Sequence, residues 1–208
     1  MTYKNFKWPV YLNAILLIAL SSYFFFYPAI VILYEMNDSG LTDGGVPHFT
    51  FGWHRSLSVD YEVWARERVL SGKAAGLDIN NISGTEWPAF GSVFYLLATE
   101  SLQQAWEEDP SLFPVAPKEY AHAAIEASAA LIIDPNNAGW VRKHWGADYL
   151  SRENLFYRML LINGLTSYQK LTDNDQYEDM LRDQVESLSR ELDESAYGLL
   201  DHYPNQCY

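Results

Sequence analysis

The sequence predicts an all-α protein in which one transmembrane helix precedes a domain of helical hairpins. The first observation is that residues 8–34 contain no charged side chain. The second is that, beyond residue 57, apolar residues recur at helical spacing and no segment shows the strict alternation of a half-buried strand. The third is that prolines break the chain between helical segments, as at Pro110, Pro114 and Pro117.

The apolar segment 8–34 is long enough to cross a bilayer, since about 20 apolar residues suffice for a transmembrane helix. It contains Trp8 and several tyrosines, whose rings favour membrane interfaces. The alternative is a cleaved signal peptide, which normally has an apolar core of about 7–15 residues followed by a small-residue cleavage site. No such site precedes Asn37. We therefore predict a retained single-pass anchor, with the membrane as the partner of this segment.

The charges that flank the anchor predict its orientation. Lys4 and Lys7 precede it, whereas Glu35 and further acidic residues follow it. Because basic residues stay on the cytoplasmic side, residues 1–7 are predicted to be cytoplasmic and residues 35–208 extracytoplasmic. The predicted location is the inner (cytoplasmic) membrane.

Composition excludes several classes of partner and cofactor. The formal net charge of −13 argues against a nucleic-acid partner, because phosphate contacts need clustered Lys and Arg. The single cysteine, Cys207, excludes an intrachain disulfide and a Cys-rich metal site. His122 and His144 lack a second ligand at metal spacing, so neither a metal nor a cofactor is predicted. An unpaired thiol outside the cytoplasm is buried, reactive or paired with another chain, which leaves a homo-oligomer open.

The segments after the anchor follow from turn signals and helical spacing. Residues 35–57 are rich in Gly, Pro, Ser and Asp and are predicted to form a linker. Helical segments are predicted over 58–72, 86–107, 117–133, 137–146, 150–171 and 174–194. Pro88 suits the first turn of the second segment, and Asp134-Pro135 ends the third. The third segment is dense in small residues whereas the last is mostly charged, and this alternation of buried and exposed helices favours antiparallel hairpins.

Residues 153–178 carry the most specific pattern in the chain. Glu153, Asn154 and Tyr157 lie one turn apart at the start of a helix whose apolar face runs from Leu155 to Leu165. The pattern E-N-x-x-Y continues into Tyr168-Gln169, Thr172, Tyr177-Glu178, Gly198-Leu199 and Gln206-Cys207. Over these positions the chain resembles the linalool dehydratase/isomerase domain family. The resemblance implies an (α/α) toroid, of which residues 58–208 would form a partial, C-terminally truncated portion.

The resemblance also implies an activity: cofactor-free lyase or isomerase chemistry on an allylic or terpenoid alcohol. In such a reaction an acid protonates the hydroxyl, water leaves, and a base removes a proton. An aromatic cavity suits an apolar substrate, and aromatic faces stabilise developing positive charge. We expect the substrate-binding residues to be Trp87, Tyr95, Phe156, Tyr157 and Leu160.

The candidate catalytic residues are Glu86, Asp201, His202 and Cys207. Glu86 lies at the start of an aromatic helix, where the neighbouring Trp87 would raise the pKa of the Glu86 carboxyl group and make it a proton donor. The alternative for Glu86 is a helix N-terminal residue stabilised by the macrodipole. The segment 201–207 offers a carboxylate, an imidazole and a thiol, and its alternative is an ordinary irregular loop. Leu160 stands where the resembled family has a histidine, so proton transfer would fall to a carboxylate or to Cys207.

Two other function classes stay open at this point. One is a periplasmic glycan-processing or glycan-binding toroid, with Glu86 and Asp201 as acid and base held about 5–9.5 Å apart. The other is a non-catalytic, membrane-tethered scaffold whose helices pack against a partner. Two features favour the scaffold: Leu160 stands in place of the family's histidine, and the chain would form only part of a toroid.

Overall fold

The structure, a computed structural model, describes residues 8–42, 45–78, 80–204 and 206–207. Its α-helices are α1 (Trp8–Ser21), α2 (Tyr27–Glu35), α3 (Ser39–Thr42), α4 (His48–Ser71), α5 (Ile82–Thr85), α6 (Trp87–Glu108), α7 (Pro117–Tyr120), α8 (His122–Ile133), α9 (Gly139–Trp145), α10 (Leu155–Thr172) and α11 (Glu178–Glu194). Short 3₁₀ turns span Lys73–Gly76, Pro110–Leu112 and Tyr149–Ser151. Two short strands, β1 (Asp201–Tyr203) and β2 (Gln206–Cys207), pair antiparallel. The predicted all-α class is confirmed.

The chain divides into two units, residues 1–50 and 51–208. In the first unit, α1 and α2 are joined by a π-helical turn at Ser22–Phe26 into one apolar helix of 28 residues, Trp8–Glu35. Pro28 is the second residue of α2, which begins directly after the π-helical turn. The helix is long enough and apolar enough to span a bilayer, as predicted. Lys4 and Lys7, which carry the orientation prediction, lie outside the described residues.

The predicted linker over residues 35–57 is shorter in the structure, because α4 already begins at His48. The Asp38 carboxylate accepts the backbone N–H of Gly40 at 2.8 Å and that of His48 at 3.0 Å. Residues 48–57 are therefore helical, and this part of the linker prediction is wrong. The segment is helical because Phe51, His54 and Ser58 form one buried face of α4. This burial outweighs the low helix propensity of its glycine and polar residues.

In the second unit, α10 is the central helix and contacts α6, α8 and α11. The main core lies between α6, α8 and α10 and is built from Val93, Leu96, Ile125, Ile132, Leu161 and Leu165, each at most 1% exposed. Helices α6 and α10 pair along their lengths, as expected of stacked hairpins. The closure of such hairpins into a toroid stays a prediction.

The segment dense in small residues forms α8, which packs closely against its neighbours. Ala124, Ala127 and Ala129 are buried on it, and α10 meets this helix at Gly164. A Cβ atom added to Gly164 would lie 2.7 Å from Ile132 Cδ1 and 3.3 Å from Val93 Cγ2. The core therefore has no room for a side chain where α10 crosses α8.

Candidate functional site

An apolar groove runs between α10, α11 and the segment that follows α11. Its volume is ≈ 380 Å³. The lining residues are Leu155, Met159 and Ile162 on α10, Val185, Leu188, Ser189 and Leu192 on α11, and Gly198, Leu199 and Leu200 after α11. Apart from Ser189 and Gly198 these side chains are aliphatic or thioether groups, so the groove can take a hydrocarbon out of water.

Helical spacing in the sequence builds both long walls of this groove. Leu155, Met159 and Ile162 fall at positions i, i+4 and i+7 and therefore share one face of α10. On α11, Val185, Leu188 and Leu192 occupy positions i, i+3 and i+7. The two faces meet because α11 packs against α10.

A buried arginine fixes the two walls against each other. Arg158 on α10 is 0% exposed, and its Nε donates to Gln184 Oε1 at 2.7 Å. Its Nη1 donates to the carboxylate of Glu191 at 2.8 Å, and its Nη2 donates to the Ser187 hydroxyl. These three partners lie on α11, so one side chain ties α11 to α10. Sequence reasoning missed Arg158 because arginine is almost never fully buried unless it is paired, and its partners lie on another helix.

Two acidic residues, Glu153 and Asp201, are close in sequence to residues that line the groove. The backbone N–H of Asp201 donates to Glu153 Oε2 at 3.0 Å. Asp201 directly follows Leu200, and Glu153 precedes Leu155 by two positions, so both adjoin residues that line the groove. This hydrogen bond brings the start of the E-N-x-x-Y pattern to the segment 201–207, as a shared site requires.

Tyr157, the phenol of the same pattern, lies in the core. It is 1% exposed, and its hydroxyl donates to the backbone carbonyl of Ile132 at 2.7 Å. Its ring packs in T-shaped contacts against the rings of Trp140 and Tyr149, with centroids 5.9 and 5.6 Å apart. Burial raises the pKa of the Tyr157 hydroxyl well above its ordinary value. Its predicted contact with a substrate has no support in this arrangement.

The remaining predicted binding residues on α10 also face the core. Phe156 is partly buried against Phe90 and Trp140, with ring centroids 4.9 and 5.9 Å apart. Leu160 packs against the main core. Neither lines the α10–α11 groove, because α10 carries apolar residues on more than one face and these two belong to the other faces.

Tyr95 belongs to a buried polar network between α4 and α6. Its hydroxyl donates to Ser58 Oγ at 2.7 Å, and its ring stacks on His54 with centroids 5.0 Å apart. His54 Nε2 lies 2.8 Å from Thr99 Oγ1. Burial lowers the pKa of His54 to about 4, so the imidazole is neutral near pH 7. Tyr95 is 5% exposed and has a structural role here instead of lining a cavity.

Glu86 lies at the junction of α5 and α6. Burial raises its pKa, and the charge of His144 opposes that shift, so the direction agrees with the sequence prediction. Its side chain makes no capping hydrogen bond to α6. Trp87, predicted to bind substrate beside it, is 66% exposed.

The structure describes the backbone of His202 in β1 and of Cys207 in β2. Their catalytic roles stay predictions. The backbone N–H of Asp201 donates to the carboxylate of Glu153, and the pairing of Glu86 with Asp201 as acid and base stays a prediction. Glu153 is the carboxylate that the structure adds to the candidate site.

A comparison of the chain with protein-family models, curated proteins and solved structures finds no match. The class of protein defined by the fold is therefore an all-α helical-hairpin protein with one apolar N-terminal helix. The family resemblance carried by residues 153–178 stays a prediction from the sequence pattern.

Proposed function

We propose that this chain is a single-pass protein of the cytoplasmic membrane whose extracytoplasmic domain takes an apolar alcohol into the α10–α11 groove. The reaction class we propose is cofactor-free dehydration or isomerisation of an allylic or terpenoid alcohol. The observation that carries the proposal is the groove itself, an apolar site whose lining residues Leu155 and Leu200 are close in sequence to the hydrogen-bonded Glu153 and Asp201. Its volume of ≈ 380 Å³ is within the range of about 300–1,000 Å³ typical of small-molecule sites.

The chemistry of the groove supports an apolar alcohol over a polar ligand. Ser189 supplies the only side-chain hydroxyl among its lining residues. Each Å² of hydrocarbon surface moved from water into such a site contributes about 25 cal/mol. A glycan presents many hydroxyl groups that this lining could not pair, and unpaired polar groups are costly to bury. The glycan hypothesis therefore loses support at this groove.

In the proposed reaction, the carboxylic acid of Glu153 or Asp201 protonates the hydroxyl of the bound alcohol. Water then leaves with the electron pair of the C–O bond, and the allylic cation stays in the groove. The carboxylate regains a proton from the carbon next to the cation, which forms the new double bond and restores the acid. No oxidant, reductant or cofactor is needed for this balance.

Turnover by the full-length protein in detergent tests the reaction. A terpenoid allylic alcohol is supplied, and the diene product is measured by gas chromatography. We expect Met159→Trp, which fills the groove, to abolish turnover, whereas Val63→Trp on the exposed face of α4 leaves it unchanged. Equal turnover in Met159→Trp and the unmodified protein would contradict the assignment of the groove.

The proposed topology has a separate test. Because Lys4 and Lys7 precede the apolar helix, we expect a reporter enzyme fused after Gly45 to be active only when it requires export. A matched fusion of a reporter that works only in the cytoplasm should be inactive. The reverse pattern would overturn the extracytoplasmic location of residues 35–208.

A second candidate, a membrane-tethered scaffold, is favoured by the outer surface of α4. Large apolar side chains are exposed along this helix: Trp53 61%, Leu57 53%, Val63 54%, Trp64 41% and Leu70 85%. Several exposed apolar residues on one helix are typical of a protein interaction surface. A photo-crosslinking amino acid at position 63 tests this candidate. If α4 binds a partner, we expect one specific crosslinked product from position 63. The same probe at position 190 on α11 is the control and should not give that product.

A further inference from the structure

A second pocket, distinct from the α10–α11 groove, lies between the end of α4, the turn Lys73–Gly76, α5 and α9. Its volume is ≈ 120 Å³. The lining residues are Arg68, Ala74, Ala75, Leu77, Thr85, Asn136, Asn137, Gly139, Trp140 and Lys143. The space is large enough for several water molecules or for one small ionic group.

The guanidinium of Arg68 is held in place at this pocket. Its Nε donates to Asn137 Oδ1 at 2.5 Å, and its Nη2 donates to the backbone carbonyl of Gly84. These bonds occupy two of the three nitrogens of a group that carries five N–H donors. Arg68 is thus a positioned cation and not a freely moving surface side chain.

Asp134 interacts with Arg68 but does not line the pocket. Burial lowers the pKa of Arg68, and the charge of Asp134 opposes that shift. The Asp134 carboxylate accepts hydrogen bonds from the backbone and side-chain nitrogens of Asn136 and from Asn137 Nδ2. The carboxylate is therefore already engaged by these two asparagines.

Trp140 lines the same pocket and carries an unpaired hydrogen-bond donor. The residue is 2% exposed, and within the described part of the chain its indole Nε1 is the buried side-chain nitrogen that has no hydrogen-bond partner. Buried polar groups are almost always paired, and leaving one unpaired costs about 1–3 kcal/mol. Because an indole N–H only donates, its missing partner is an acceptor.

The charge around this pocket is opposite to that of the whole chain. The protein has a formal net charge of −13, but the pocket is lined by Arg68 and Lys143 and by no carboxylate. An adjoining depression of ≈ 280 Å³ shares Lys143 and adds Arg142, again with no acidic residue in its lining. Among the described residues, none forms an ion pair with Lys143. Two cationic side chains, Arg68 and Lys143, and a tryptophan with an unpaired N–H therefore line one small space.

We propose that this pocket binds an oxyanion, the carboxylate or phosphate group of a small ligand. Arg68 and Lys143 neutralise its charge, and the Trp140 indole N–H donates to one of its oxygens. Charge-assisted hydrogen bonds of this kind are about twice as strong as neutral ones, and a guanidinium matches both groups in geometry. The ligand enters from the Arg142 side, where the adjoining depression opens.

The test follows the indole N–H resonance of Trp140 by NMR in the full-length protein labelled with ¹⁵N at tryptophan, with Trp140→Phe identifying the signal. Inorganic phosphate and succinate are titrated separately at constant ionic strength set by chloride, because exposed charges are screened by salt. We expect a saturable shift of this resonance with at least one of the two anions. A response to phosphate alone would assign a phosphate ligand, and a response to succinate alone would assign a carboxylate.

Three variants make the test specific. Lys143→Gln, an exposed position, should weaken binding by about tenfold through the loss of one charge-assisted contact. Arg68→Gln should abolish the shift, and far-UV circular dichroism shows whether that variant remains folded. Arg190→Gln, an exposed cation on α11, should leave binding unchanged. No saturable shift with either anion, or equal affinity in Lys143→Gln and Arg190→Gln, would overturn the proposal and leave a water-filled pocket.

Discussion

The buried arginine on α10 gives the sharpest test of how this domain is held together. Replacing Arg158 by methionine keeps much of the aliphatic volume but removes the guanidinium. The change breaks the contacts to Gln184, Ser187 and Glu191 on α11. It also leaves the backbone carbonyl of Arg152, which accepts from Nη1 at 2.6 Å, without that donor.

The size of the effect follows from the burial of the two charges. Removing one partner of a buried ion pair costs about 3–5 kcal/mol, because the other charge stays desolvated. The side chain of Arg158 is 0% exposed but that of Glu191 is 21% exposed, so the carboxylate can regain part of its hydration. We therefore expect the lower end, a loss of about 3 kcal/mol in the free energy of unfolding. That is a large share of the about 5–15 kcal/mol that stabilises a typical domain.

The matched control is Arg182→Met on α11. Arg182 pairs with Glu178 and Asp179 on its own helix, and its side chain is 56% exposed. Exposed pairs of this kind contribute about 0–1 kcal/mol. Urea unfolding of the full-length protein in detergent, followed by far-UV circular dichroism, gives both values. A loss in Arg158→Met within about 0.5 kcal/mol of that in Arg182→Met would refute the reasoning.

Two further predictions concern the core. Gly164→Ala should destabilise the protein by about 1–3 kcal/mol, because the new Cβ would lie 2.7 Å from Ile132 Cδ1. Gly91→Ala is the control, since nothing lies within 4 Å of its new Cβ, and it should stabilise the protein by up to about 1 kcal/mol. Thermal unfolding of both variants measures the two effects. For His54, burial lowers the pKa from 6.5 to about 4, so below pH 6.5 the unfolded chain binds the proton more readily than the folded one. The free energy of unfolding should therefore fall as the pH drops from about 6.5 to about 4. Urea titrations at several pH values should show that His54→Gln removes this part of the pH dependence. An unchanged dependence of the unfolding free energy on pH in that variant would count against a neutral buried imidazole.

The sequence was a good guide where one local property decides the structure. The apolar helix Trp8–Glu35 follows from the absence of charge, and the breaks around α6 follow from Pro88 and Pro110, which restrict the backbone wherever they occur. The start of α4 was missed because the glycine and polar residues before position 58 resemble a linker locally. The spacing of Phe51 and His54 on one face was the signal that could have extended the helix.

The candidate site shows a different limit of sequence reasoning. The sequence identifies the helix that carries it, but α10 has apolar residues on nearly all sides. Met159 and Phe156 are both apolar, and only the packing of α6, α9 and α11 around α10 decides that Met159 lines the groove while Phe156 joins the core. Arg158 is a related case, because its burial depends on partners more than twenty positions away in sequence.

The predicted rise in the pKa of Glu86 has a local cause and agrees with its burial, whereas its catalytic role stays a prediction. The pairing of Asp201 depends on how the chain after α11 folds back, which no local pattern reveals. The segment after α11 folds back so that the backbone N–H of Asp201 donates to the Glu153 carboxylate. Glu153 is therefore part of the E-N-x-x-Y pattern, but the sequence did not predict a catalytic role for it.

The central claim is that the α10–α11 groove binds an apolar alcohol, and its methionine allows a direct measurement. The full-length protein is labelled with ¹³C at the methionine methyl groups and titrated with a terpenoid allylic alcohol. Met159 lines the groove, Met180 packs against the main core, and Met36 is exposed in the first unit. We expect the Met159 methyl resonance to shift saturably while those of Met180 and Met36 stay unchanged. Parallel, unsaturable shifts of Met159 and Met36, as produced by partition into detergent, or no shift of Met159 at all, would contradict the claim.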